Sequence, residues 1–294
     1  ETRRIMHVVV CRGKAEDFIK ANKSTIGASA TKSIELMVVQ SVHSGLFSRE
    51  TFVDFYDGML SPYKNAIAAY AGVNEFNNLQ ENSSGTNPPL DTLYEFKPGE
   101  LPRKGAAKRE FFGTAVFKGD KMVGYLNSHE TRYLQMITGQ LERAIVSVED
   151  KNKPGNAIIL DERLGRKPII KGRFENGKPV IDVKLHIEAD LGAIQSRINY
   201  DSLERIEKLN KQLEERIGNG VRETIEKAQK EFKSDIFGFG YKIAGHFNTI
   251  QEWKEYDWFK HFPEAKVNVD VDFNVRRTGL MYGSSPILGE DNNK

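Results

Sequence analysis

The sequence contains a single cysteine and no long hydrophobic run. Cys11 has no second cysteine with which to form an intrachain disulfide, so the redox compartment stays open. Three valines precede it, rather than a leader with small residues. We therefore expect Cys11 to be packed like a small apolar residue in a buried strand, and not to be a lipid-attachment site. Because no stretch approaches about 18 consecutive apolar residues, the sequence predicts no membrane-spanning segment.

Neither sign of charge dominates. The 294 residues include 43 basic and 41 acidic side chains, for a formal net charge of +2. No basic block is long enough to bind nucleic acid by releasing counterions, so nucleic acid is not an expected partner. Hydrophobic residues make up 39% and charged residues 29%, which is typical of a folded chain with room for two domains. The chain begins with Glu1, so we expect its natural start to lie upstream.

Motifs of the common enzyme classes are missing as well. The sequence has no HExxH, CxxC, GxSxG or P-loop pattern, and its six histidines occur singly. The glycine cluster at 238–245 follows a predicted helix rather than a strand, which disfavours a nucleotide-binding loop. Asp270 and Asp272 alternate along one strand, a pattern more typical of a solvent-facing strand than of a calcium site. We therefore predict a protein that is not an enzyme, with no catalytic residues, cofactor or metal.

The first hundred residues are predicted to be mainly helical after an opening strand at 7–11. Residues 74–108 are rich in Asn, Ser, Gly and Pro, which favours a domain boundary there. The predicted domains are 1–100, mainly helical, and 106–294. The spacing of apolar residues predicts four helices in the first part. They are 13–21, 34–43, 50–56 with Ser48 as its cap, and a helix that begins at Ser61-Pro62. The apolar run at 66–73 is predicted to flank a helix.

The apolar patterns of the second part predict a sheet with a long helix. Its apolar stripe at 203–232 indicates a helix that packs on the protein's own sheet, with a coiled-coil dimer as the alternative. Gly218 and Gly220 are places where this helix is expected to kink or break. We predict an α+β fold with a mainly antiparallel sheet, built from the hairpin and two alternating strands. The predicted strands and short helix are the hairpin 110–117 and 122–126, a helix capped by Ser128, strands 144–148 and 157–160, and alternating strands 180–189 and 266–279.

Aromatic residues crowd into the segment 253–262. Tryptophan and tyrosine are favoured in protein interfaces, so Trp253, Tyr256 and Trp258 are candidates for contact with a partner protein. The alternative is that these rings cap the core of the second domain. Asp235, just after the long helix, is predicted to cap the next turn of the chain.

Several segments resemble the C-terminal domain of the germinant-receptor C subunit, the Ger(x)C family. The segment 108–132, KREFFGTAVFKGDKMVGYLNSHETR, is similar to a hairpin pattern of that family, and KSDIFGFG at 233–240 is similar to a specific family motif. The resemblance covers nearly the whole chain and is strongest from Lys108 to Leu280. The matching positions are Gly113, Ala115, Val116, Phe117, Lys121, Val123, Gly124, Leu126, Glu130, Thr131, Arg132, Trp253, Trp258, Phe262, Arg277, Thr278 and Gly279.

This resemblance implies a function in spore germination. Family members are lipoproteins on the outer face of the spore's inner membrane, beside membrane-integrated A and B subunits, and the complex responds to nutrients. The family's first domain and its lipidated (palmitate-bearing) N-terminal cysteine are absent from this chain, so the anchor is expected outside it. We expect a non-enzymatic subunit that acts by protein–protein contact. The alternatives are a solute-binding module that contacts the germinant directly and a spore-envelope hydrolase. The nutrient, the receptor, the contact surface and the oligomeric state stay open.

Overall fold

A computed structural model describes residues 6–21, 30–75, 96–103, 107–196, 198–200 and 202–277. This part of the chain combines two β-sheets with helices, which confirms the predicted α+β class. Much of the predicted boundary region 74–108 lies outside the described residues. One of the sheets takes strands from both sides of that region, and the division into two domains stays a prediction.

The first sheet has four strands in chain order. They are β1 (Val9–Arg12), β2 (Ile67–Val73), β3 (Arg109–Lys118) and β4 (Lys121–Leu126). β1 and β2 are parallel, whereas β2 with β3 and β3 with β4 are antiparallel. The predicted hairpin is thus confirmed as β3 and β4. Gly119 lies in its turn at positive φ, a conformation that glycine adopts at little cost. Cys11 is half-buried in β1.

The apolar run at 66–73 was predicted as a helix flank, and this prediction is wrong, because the run forms β2. β2 lies between β1 and β3, and nearly all of its residues are buried. A strand that is buried on both faces is continuously apolar and shows no alternation. Periodicity alone does not separate such a short run from a helix.

Helices precede β2 and follow β4. They are α1 (Ala15–Lys20), α2 (Ala30–Val39), α3 (Ser41–Ser44), α4 (Phe52–Leu60) and α5 (Ser128–Thr138). Three predicted helix ends are corrected. Thr51 rather than Ser48 caps α4, and Asn127 rather than Ser128 caps α5, each in a reciprocal capping box with an acidic third residue. Ser61 ends α4 and begins no helix, because the residues after it are irregular and lead into β2.

The second sheet contains the two alternating strands. Its strands are β5 (Ala144–Glu149), β6 (Ala157–Leu164), β7 (Ile169–Glu175), β8 (Lys178–Ile194) and β9 (Lys266–Arg277). β6 and β7 pair with successive parts of β8, and β9 pairs with β8 over most of its length. We predicted that the hairpin and the alternating strands share one antiparallel sheet. Instead the hairpin belongs to the first sheet, and β8 and β9 are parallel because a long helical crossover connects them.

The long helix is α6 (Leu203–Lys227), which continues as a π-helical turn (Ala228–Phe232). Its apolar stripe is buried in the main core together with residues of the second sheet, which confirms packing on the protein's own sheet. The predicted break is wrong, because α6 runs through Gly218 and Gly220. A Cβ on Gly220 would lie 2.3 Å from the ring of Tyr133, so this glycine allows α5 to approach. The remaining helices are α7 (Gly240–Ala244), α8 (Ile250–Tyr256), α9 (Trp258–His261) and a 3₁₀ turn (Phe262–Glu264).

Candidate functional site

The long helix ends in a turn whose backbone is held by side chains. We call residues 233–240 the signature turn. Lys233 has a φ of 50°, and this left-handed residue ends the helical segment. Ser234 Oγ donates a hydrogen bond to the carbonyl oxygen of Phe117 at 2.7 Å. The signature turn is therefore fastened to β3 of the first sheet.

Asp235 lies at the centre of the signature turn and is fully buried. Its Oδ1 accepts hydrogen bonds from the backbone N–H groups of Phe237 and Gly238 at 3.1 and 2.9 Å. Its Oδ2 accepts from the N–H of Gly240 and from Nε1 of Trp258, both at 2.8 Å. Burial raises the pKa of Asp235, and these donors oppose the rise because they stabilise the ionised form. The predicted capping role of Asp235 is confirmed, and the carboxylate also holds the aromatic segment.

Asn65 joins the signature turn to the segment that precedes β2. Its Oδ1 accepts a hydrogen bond from the N–H of Asp235 at 3.0 Å, and its own N–H donates to the Asp235 carbonyl at 2.7 Å. Nearby, a Cβ on Gly240 would lie 2.3 Å from the carbonyl oxygen of Tyr63, so glycine is required there. No local pattern in the sequence indicates Asn65, because its partner lies 170 residues away.

The aromatic segment lies inside the core rather than on a surface. Trp253 is 3% exposed and Trp258 is 1% exposed. Trp253 stacks on Tyr63 with ring centroids 5.5 Å apart, and Trp258 is fixed by Asp235. Tyr256 is half-buried, and its hydroxyl has no hydrogen-bond partner among the described residues. The contact predicted for the two tryptophan rings is therefore corrected, because burial makes neither ring available to a partner protein in this conformation.

A groove with a volume of about 580 Å³ opens beside the signature turn. Its wall is formed by Glu50, which lies two residues before α4, by α4 itself, and by the segment leading into β2, the end of α5, the β6–β7 turn and α7. Volumes of this size are typical of small-molecule sites. Glu50, Asp54, Lys64, Lys167 and Lys242 bring charge of both signs to the same groove.

Glu50 is the buried charged group of this groove, with only 7% of its surface exposed. The hydrogen bond that its side chain accepts is a long one, 3.4 Å from Nε2 of Gln140. Burial raises the pKa of Glu50, as does the nearby charge of Asp54, whereas Lys64 and Arg49 act in the opposite direction. Nothing in the sequence indicates Glu50 as a site residue, because a single glutamate before a helix carries no distinctive pattern.

Helix α4 exposes an apolar stripe on its outer face. Phe52, Val53, Tyr56 and Leu60 are all exposed, and the rings of Phe52 and Tyr56 stack with centroids 6.2 Å apart. Their spacing places them along one side of the helix. On the opposite side of the helix, Gly58 is buried and packs closely against the backbone of Ala66. We call these four residues the α4 stripe.

The hairpin motif also holds elements together. Lys227 Nζ lies 2.8–2.9 Å from both carboxylate oxygens of Glu130, an ion pair that joins α6 to α5. The Oγ1 atoms of Thr114 and Thr131 are 3.0 Å apart in the interior. A Cβ on Gly124 would lie 2.3 Å from the ring of Phe232. These motif residues are therefore structural.

Comparison with known proteins identifies the family. Residues 112–279, more than half of the chain, match the family profile described as spore germination B3/GerAC like, C-terminal. The chain belongs to this family. The GerAC-like region thus includes the hairpin, the second sheet, the signature turn and the aromatic segment. Thr278 and Gly279, which carried part of the resemblance, lie outside the described residues.

Relatives of this GerAC-like chain come from Bacillus subtilis (strain 168). Spore germination protein B3 is 26% identical over 60% of this chain and 47% of its own length. Spore germination protein YndF is 25% identical over 60% of this chain and 43% of its own length. Each match thus spans less than half of the relative. The crystal structure of the GerBC protein superposes with a TM-score of 0.61 at 18% identity, covering 93% of this chain and 70% of that one, and shows the same fold.

The solvent-facing sides of the alternating strands carry cross-strand contacts between polar side chains. Asp270 forms an ion pair with Lys184 at 2.9 Å, and a carboxylate oxygen of Asp272 lies at hydrogen-bond distance, 2.7 Å, from Nδ1 of His186. No group of three or more His, Cys, Asp or Glu side chains within the described ranges is placed to hold a metal ion. Within the same ranges, no helix has the length and apolar character needed to cross a bilayer.

Proposed function

We propose that this chain is the C-type subunit of a nutrient germinant receptor in bacterial spores. It acts without catalysis, through protein–protein contacts with the membrane-integrated A and B subunits. The natural protein is held at the outer face of the spore inner membrane by a lipid anchor. Membership of the GerAC-like family supports this proposal, as do the names of the spore germination proteins that it resembles.

The observation that carries the contact proposal is the α4 stripe. Four apolar side chains on one helix face are exposed together, and contiguous apolar patches of this kind mark interaction surfaces. The same helix carries Asp54 and Asp57 and no basic residue. We expect the partner to present an apolar surface with basic residues at its rim, because such a rim complements these carboxylates.

The test compares germination of spores that carry matched variants at the natural locus. In Phe52→Ser/Leu60→Ser the stripe is broken at both ends. In the control, Leu203→Ser/Ile250→Ser, two aliphatic side chains on other helices are replaced. Leu60 and Ile250 are exposed to the same extent, 66% and 67%. We expect the stripe variant to respond to nutrient at least about tenfold more slowly than wild type, because interface anchors contribute more than 1 kcal/mol each.

The control variant should germinate like wild type. Both variants must be present at wild-type levels in spore membranes, as measured by immunoblot, so that loss of folding is separated from loss of contact. Normal germination of the stripe variant at a normal protein level would reject α4 as the contact surface.

Direct contact with a solute is the second candidate function. The observation in its favour is the groove beside the signature turn, which contains a buried carboxylate. A spore-envelope hydrolase has no comparable support among the described residues.

A further inference from the structure

The groove beside the signature turn contains charges that do not pair with each other. Glu50 and Asp54 are acidic, and Lys64, Lys167 and Lys242 are basic. Within the described part of the chain, no ion pair joins either carboxylate to any of these lysines. Elsewhere in this protein, charged side chains that share a surface commonly form such pairs, as Glu130 and Lys227 do.

Glu50 is the most buried of these charged groups. It is more than nine-tenths buried, yet its carboxylate accepts one long hydrogen bond, from Gln140. Burying a carboxylate is costly unless it is paired and hydrogen-bonded. A group of this kind, at the wall of a 580 Å³ groove, is suited to receive a hydrogen-bond donor with positive charge from a ligand.

The signs of the lining charges narrow the ligand class. A simple cation would be attracted by Glu50 but repelled by the three lysines. A simple anion would be attracted by the lysines but repelled by the two carboxylates. The two signs of charge also come from different segments of the groove wall. Glu50 and Asp54 lie just before and within α4, whereas Lys167 lies between β6 and β7 and Lys242 lies in α7.

We propose that the groove binds a small zwitterion, with its ammonium group on Glu50 and its anionic group facing Lys167 and Lys242. The volume of about 580 Å³ suits a small organic molecule rather than an ion alone. Gly238 of the signature turn and Tyr241 just after it line the same groove, so occupancy would bear directly on the turn that Asp235 holds. This inference rests on the second candidate function and does not require contact at the α4 stripe.

The test is isothermal titration calorimetry of the purified chain with ω-amino acids of increasing length. The probes are glycine, 4-aminobutyrate and 6-aminohexanoate, because their charges are separated by increasing distances. n-Butylamine and butyrate are the single-charge controls. We expect at least one zwitterion to bind at least about tenfold more tightly than either single-charge control.

Two variants and their matched controls identify the site. Glu50→Gln removes the acidic charge, and Glu162→Gln is its control, because Glu162 is also a buried glutamate with a raised pKa but lies outside the groove. Lys167→Ala/Lys242→Ala removes two exposed lysines of the groove. Its control is Lys211→Ala/Lys254→Ala, two exposed lysines of other helices. Both groove variants should lower affinity at least about tenfold, and both controls should bind like wild type.

Several outcomes would overturn the inference. Binding by Glu50→Gln at wild-type affinity would place the ligand elsewhere. n-Butylamine binding as tightly as the best zwitterion would show a cation site only. The inference also fails if no probe binds wild type more tightly than about 10 mM. If the lysine variant instead loses a partner protein while no probe binds, the groove is a protein contact. None of these outcomes bears on the α4 stripe, which the germination test addresses by itself.

Discussion

At the scale of single residues, Asp235 organises more of the structure than its place in the sequence suggests. One carboxylate receives three backbone N–H groups and an indole N–H, and Asn65 binds its backbone from the other side. The signature turn buries Ile236, Phe237 and Phe239 in the main core. The hydrogen bonds to Asp235 hold the backbone that carries these side chains.

Asp235→Ala should destabilise the fold by about 3 kcal/mol, since it leaves several buried donors without an acceptor. Asn127→Ala removes an ordinary helix cap and provides the reference, with an expected loss of about 1 kcal/mol. Urea denaturation of both variants measures the difference in free energy of unfolding. A loss for Asp235→Ala no larger than that for Asn127→Ala would contradict the central role given to this carboxylate.

Ionised Glu50 is expected to lower the free energy of unfolding at neutral pH, compared with an uncharged side chain at the same position. Because burial raises its pKa in the fold, the stability that protonated Glu50 contributes is present at low pH. That contribution is lost as the pH rises through the raised value. Glu50→Gln should therefore melt at a higher temperature than wild type at about pH 7.5, and the gap should narrow towards about pH 4. Thermal melts at both pH values check this. A lower melting temperature for Glu50→Gln at the higher pH would show that the carboxylate is well paired instead.

At the scale of elements, glycine decides how closely two helices pack. α6 contains Gly218 and Gly220 only two positions apart, yet their surroundings differ. A Cβ on Gly218 would meet the end of the flexible Arg222 side chain at 3.4 Å, whereas a Cβ on Gly220 would meet the Tyr133 ring at 2.3 Å. Alanine is favoured over glycine in a helix by about 1 kcal/mol, so only the packing term distinguishes the two positions.

Gly218→Ala should raise the free energy of unfolding by up to about 1 kcal/mol, through helix propensity. Gly220→Ala should lower it by about 1–3 kcal/mol, because α5 must shift to admit the added methyl group. Urea denaturation of the two variants gives the comparison, and Tyr133→Ala in the Gly220→Ala background should recover part of the loss. Equal effects of the two alanine substitutions would mean that Tyr133 does not set the spacing between the helices.

The elements that sequence patterns predicted well are those with a strong period. The alternation in β8 and β9 and the apolar stripe of α6 each follow from one buried face. β2 was missed because burial on both faces removes its alternation. The caps Thr51 and Asn127 were missed because neighbouring serines satisfy the same residue preference. Capping depends on which residue leaves the helical conformation, and composition alone does not specify that.

At the scale of the whole molecule, the sequence predicted the class of fold but not how its parts join. The parallel pairing of β8 and β9 depends on contacts between residues more than 80 positions apart, as does the Asn65–Asp235 link. The Glu50 groove likewise gathers residues from five separate segments. No local sequence pattern specifies which distant segments meet. The sequence therefore indicated the aromatic segment as a candidate site, and the groove was found only in the structure.

The central claim is that this chain works by contact with the membrane-integrated receptor subunits through the α4 stripe. Its most direct test is co-purification of the A and B subunits from spore inner membranes with tagged protein, compared among wild type, Phe52→Ser/Leu60→Ser and Leu203→Ser/Ile250→Ser. We predict that wild type and the Leu203/Ile250 variant retain both subunits, and that the stripe variant recovers at least about tenfold less. Equal recovery of A and B with the stripe variant, at equal levels of tagged protein, would contradict the claim.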